Sequence, residues 1–114
     1  LVVTAHAEQL APFLDRHSIR YETLAAPRRE VVMTDRFAQK PTLSGRVARA
    51  EERRETIALP AGSLVVDLAQ PDGLAALLLL DPRSTSSVFR YPDYAAWIEP
   101  GGDFFIHRSA ERAP

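Results

Sequence analysis

The sequence predicts a small α+β domain: a mostly antiparallel sheet of about four or five strands, with two helices packed on one face. Three observations carry that expectation. Short apolar or alternating runs are punctuated by Gly and Pro, the pattern of strands and turns. Residues 5–17 and 72–80 show helical patterning instead. And 114 residues are enough chain for one core and too few for two.

The elements follow in order. Leu1, Val2, Val3 and Thr4 make a short apolar run that fits a buried strand, with Thr4 placed to cap a helix through its hydroxyl. Between Ala5 and His17, Ala7, Leu10, Ala11 and Leu14 recur at three- and four-residue spacing, and Phe13 widens the stripe. Pro12 either kinks this helix or marks where its regular part begins. In residues 19–24, Ile19, Tyr21 and Thr23 alternate with Arg20, Glu22 and Leu24, as in a half-buried strand. Residues 25–29 are a break. Residues 30–37 are rich in β-branched and aromatic side chains, so a second strand is expected, and residues 38–45 form a loop marked by Pro41 and Gly45.

Residues 46–59 have the composition of a helix, yet Arg53, Glu55, Ile57 and Leu59 share one parity. A Pro-Ala-Gly-Ser turn at 60–63 and the apolar run 64–68 follow at once, so residues 53–59 are expected to form a hairpin with 64–68. Residues 70–73 are a second turn, with Asp72 as helix cap. Residues 73–80 are apolar all round, which predicts a short, fully buried helix. Asp81-Pro82 stops it and residues 83–87 are loop. Pro92 opens one or two helical turns over 92–98, residues 99–103 turn, and 104–108 form a last strand.

The totals exclude several function classes. A net charge of -1 provides no field for nucleic acid or an acidic membrane surface. The longest apolar run, from Leu74, is far below the ~20 residues that span a bilayer. Without cysteine there is no disulfide, cysteine-ligated zinc or iron–sulfur centre. None of His6, His17 and His107 has a carboxylate three residues on, and H-E-x-x-H is absent. The expectation is two helix-surface histidines and one at the edge of a terminal strand, with no metal site. Ser63 lacks the second glycine of a nucleophile elbow and reads as a turn serine. Arg46, Arg49, Arg53 and Arg54 are balanced by Glu51, Glu52 and Glu55, a solvated stretch rather than a phosphate site. Catalytic residues are therefore not expected in this chain. Six of the nine aromatics lie from Phe89 to Phe105. They either complete the core or, through Tyr91, Tyr94 and Trp97, form a surface for a peptide or glycan.

One stretch carries a family resemblance. "LPAGSLVVDLAQPDGLAALLLLDP", residues 59–82, has a Pro-Ala-Gly-Ser turn, a valine pair, Gln70-Pro71, a leucine-rich helix and then Asp81-Pro82-Arg83-Ser84. It resembles the region after the catalytic domain in bacterial zinc metallocarboxypeptidases of the carboxypeptidase A-like family. "LVVTAHAEQLAPFLDRHSIRYETL", residues 1–24, is similar to a strand, a helix ending in His-Gly-Ile, and a strand in that region, with Ser18 in place of the glycine. The likeness extends to about Ser87. Beyond it the family often has Trp-Gly-Phe-Phe, where this chain has Phe89-Arg90-Tyr91-Pro92.

The resemblance implies an extracytoplasmic enzyme that removes C-terminal residues from peptides. Zinc, held by two His and one Glu, would activate water, with a further Glu as base and an Arg on the substrate carboxylate. Those residues would lie upstream of Leu1. This chain would then be a single accessory domain, excised from a longer polypeptide. It would have no cofactor of its own, and its partner would be the upstream catalytic domain. A first residue that is Leu rather than Met agrees with excision. The rival expectation is a free-standing peptide- or glycan-binding module.

Overall fold

The computed structural model describes residues 1–43 and 49–110. Six strands form one sheet: β1 (Val2–Val3), β2 (Glu22–Thr23), β3 (Arg28–Phe37), β4 (Arg49–Leu59), β5 (Leu64–Val65) and β6 (Ile106–Ser109). Their order is β2-β5-β1-β6-β3-β4, and every neighbouring pair is antiparallel. Helices α1 (Ala7–Arg16) and α2 (Gly73–Leu80) complete the α+β fold, and α3 (Pro92–Ala95) is a single turn after a 3-10 turn at Val88–Arg90.

Adjacent residues of β1 define the two faces, because successive side chains of a strand point to opposite sides. Val3 packs with Leu10 and Leu14 of α1, Ala76 and Leu80 of α2, Phe37, Leu64 and Ile106. Val2 packs on the other side with Leu24 and Leu59, against Ile57 and Val65. Both helices thus lie on the Val3 side, as the sequence predicts.

Several expectations need correction. The strand reading of residues 53–59 holds, within a strand that starts earlier, at Arg49, but β4 pairs with β3 and not with residues 64–68; residues 44–48, including Arg46, lie outside the described residues. Cross-strand chemistry explains the choice. Against β3, Glu51 faces Arg36 with an ion pair at 3.2 Å, whereas the apolar 64–68 run would leave these charges unmatched. The 60–63 turn instead carries the chain to the far side of the sheet. Gly62, at φ +91°, donates its N–H to Leu24, and Leu24 donates to Ser63. Residues 19–24 contain only the two-residue β2.

The helix caps also differ. His6, not Thr4, is the residue before α1; the Thr4 hydroxyl donates to the Phe105 carbonyl at 2.9 Å. Pro12 sits on the exposed side of an otherwise continuous α1, where its missing N–H costs least. Asp72 precedes α2, yet its side chain makes no cap bond. Nor is α2 fully buried: Leu80 and Ala76 are, while Leu74 is 69% and Leu78 42% exposed. A helix laid on one face of a sheet covers only the side it turns to that face.

Candidate functional site

A groove of about 1110 Å³ lies at the Leu1 end of β1. There β6 continues to Ser109, while the chain after β5 turns at Leu68. On one wall are Val66, Asp67 and Leu68, which follow β5; on the other are Arg108 and Ser109 of β6. Leu1 closes the inner end, its nitrogen donating to the Val66 carbonyl at 2.8 Å and its carbonyl accepting from Val66 N–H at 2.7 Å. On the helix side the groove is lined by Met33 and Leu77; on the open side by Glu22, Arg28 and Glu30. The Ser109 hydroxyl donates to Glu30 at 3.0 Å.

The aromatic tail forms a cluster beside the start of α1. The imidazole of His6 lies parallel to the indole of Trp97, ring centres 4.2 Å apart, and edge-on to Phe105 at 5.0 Å. Tyr94 meets Trp97 edge-on at 5.1 Å. Phe89 and Phe104, deeper in, are core. Of the three aromatics singled out from sequence, Tyr94 and Trp97 touch and are half-buried, and Tyr91 is 58% exposed. One face of the indole is thus already occupied by His6. The sequence predicts a helix-surface position for His6. Its left-handed backbone, φ 57°, turns it back onto Trp97, a contact with no local signature.

His107 also departs from expectation. β6 lies between β1 and β3, so His107 is interior and 6% exposed, with Nδ1 3.0 Å from the Thr34 hydroxyl. Burial holds its pKa below the ordinary histidine value. His17 ends α1 on the surface against Phe13. Ser63 is a buried turn serine whose hydroxyl donates to the Pro60 carbonyl at 2.8 Å.

The charges of β3, β4 and β6 pair on both faces. On the open face Asp103 receives Arg36 at 2.9 Å and Arg53 at 2.6 Å, which together hold its carboxyl down to about 2. On the helix face Asp35, 7% exposed, forms an ion pair with Arg49 at 2.9 Å and accepts from Arg108 at 2.7 Å, and Arg108 also reaches Glu52. Acids and arginines pair with each other here, an arrangement that braces the sheet.

Among the described residues no group of three or more His, Asp or Glu is placed to hold a metal ion, so the zinc site of the resemblance does not fit onto these residues. No described helix is long and apolar enough to cross a membrane. The chain matches no family model, no curated protein and no solved structure.

Proposed function

We propose that this chain is a non-catalytic accessory domain of a zinc carboxypeptidase-like peptidase, and that it works by holding polypeptide rather than by transforming a substrate. The observation that carries the reading is the groove at the Leu1 end of β1, bounded by Arg108 and Ser109 of β6 and by Val66, Asp67 and Leu68 after β5. Its lining mixes apolar side chains such as Met33 and Leu77 with charged ones such as Glu22, Arg28 and Glu30, and a strand beside such a groove recognises extended polypeptide through main-chain pairing. The titratable groups nearby are paired with one another and are not aimed at a shared point. The sequence resemblance over residues 1–87 supplies the kind of parent. There zinc would be bound and the chemistry done by the upstream domain, while this domain supports it or shapes access to its cleft.

The test is deletion. Removing residues 1–114 from the parent peptidase should lower its unfolding midpoint or change which C-terminal residues it removes, with its zinc content intact. A truncated enzyme with unaltered stability, rate and specificity would overturn the proposal.

A further inference from the structure

Asp35 and Arg90 are a buried acid and a buried base, and they are satisfied in opposite ways. Asp35 pairs with both Arg49 and Arg108. Arg90, 8% exposed, has no carboxylate among the described residues. Its Nη2 donates to the Leu43 carbonyl at 3.2 Å, and its Nη1 is buried with no hydrogen-bond partner among them. Arg36, Arg49, Arg53, Arg83 and Arg108 are less deeply placed, yet each pairs with a carboxylate. A guanidinium taken out of water without a counter-charge is costly. The orphaned nitrogen marks a place for an acceptor that the surrounding chain does not supply.

The sequence around it agrees. No Asp or Glu occurs between Arg36 and Ala50, or between Pro82 and Pro92, so neither run that meets at Arg90 contains a carboxylate. Lys40 is exposed and has no ion-pair partner among the described residues. Leu43, whose carbonyl touches the guanidinium, is itself exposed, so Arg90 lies directly beneath the surface.

We propose that Arg90 is the centre of an oxyanion site, which takes a carboxylate or phosphate group from a partner. The group replaces the Leu43 carbonyl at Nη2 and fills Nη1, two oxygens meeting the two nitrogens of the guanidinium fork. The exchange is favourable in kind. A bond of 3.2 Å to a neutral carbonyl is at the long end of the range, and a charged acceptor binds a guanidinium at shorter distance and more strongly. Ala38, Gln39, Lys40, Thr42 and Leu43 are exposed, so little packing opposes a shift of that carbonyl. Lys40 adds positive charge to the approach. This inference stands on Arg90 and needs neither the groove nor a peptidase parent, so its failure is separate from failure of the deletion test.

The experiment compares unfolding midpoints in sodium phosphate, sodium acetate and sodium chloride at pH 7 and equal ionic strength. In at least one of the two oxyanions the midpoint should rise by about 5 °C over chloride. Arg90→Met, which removes the charge and keeps a long side chain, should rise by less than about 1 °C. A second readout uses the unaltered chain and does not depend on that variant folding. The Arg90 Nε–H resonance, identified by its loss in Arg90→Lys, should shift saturably with the same anion. No rise in either oxyanion, or an unmoved resonance, would overturn the proposal. So would an equal rise in Arg90→Met, which is the general effect of excluded salts on a compact state. A larger response to acetate assigns a carboxylate-bearing partner, and a larger response to phosphate assigns a phosphate-bearing one.

Discussion

Ser18 shows how one residue sets a helix end. Its φ of 59° lies in the left-handed region that glycine adopts without steric cost. The position demands it. Ser18 N–H bonds the Asp15 carbonyl and Ile19 N–H bonds the Leu14 carbonyl, while Ile19 and Leu14 pack together in the core. This is a Schellman closure with serine where glycine is favoured. Ser18→Gly should therefore stabilise the domain by about 1 kcal/mol, read as a raised urea midpoint with unchanged slope. The exchange was visible in the sequence as a departure from His-Gly-Ile; its conformational meaning was not, because φ leaves no trace in composition. His107 makes a second residue-scale prediction. Its pKa is held below 6.5 by burial, so the unfolded chain takes up a proton as pH falls through 6.5 while the folded chain resists. Stability should be full above pH 6.5 and decline below it, by up to about 1.4 kcal/mol per pH unit. Thermal melts from pH 7.5 to 5 check this, and His107→Gln should flatten the decline.

At the scale of elements, β4 is the informative case. It is an eleven-residue strand at the end of the sheet order, with no neighbour on its outer side among the described residues. Such an edge invites pairing with other chains, and charge along it is a common protection. Glu51 and Arg54 are exposed, and Arg54 has no ion-pair partner among the described residues. Replacing both by valine leaves the net charge unchanged, because one charge of each sign is lost. The double variant should self-associate with rising concentration in sedimentation, where the parent chain sediments as before; a monomeric double variant would show that the charges do not guard this edge. The same charges explain what sequence reading could and could not supply. The parity of Arg53, Glu55, Ile57 and Leu59 was legible and correctly favoured strand over helix. The partner was not legible, because a turn at 60–63 looks the same whether it folds a hairpin or carries the chain to the other side of the sheet. Two-residue strands such as β2 and β5 are likewise too short for alternation to register, though they set the order of the sheet.

For the whole molecule, the sequence by itself determined the α+β class, the two main helices and the apolar or alternating runs that became strands. Those properties are local: they depend on periodicity, on Gly and Pro punctuation, and on the volume a chain of this length can enclose. Only the tertiary structure decided strand order, the placing of β6 between β1 and β3, the stacking of His6 on Trp97, and the exposure of one side of α2. The groove belongs to the same group. It exists because Val66–Leu68 and Arg108–Ser109, far apart in sequence, are brought to either side of one short strand. Long-range pairing of that kind is selected by the packing of the whole core, so no local run of residues announces it.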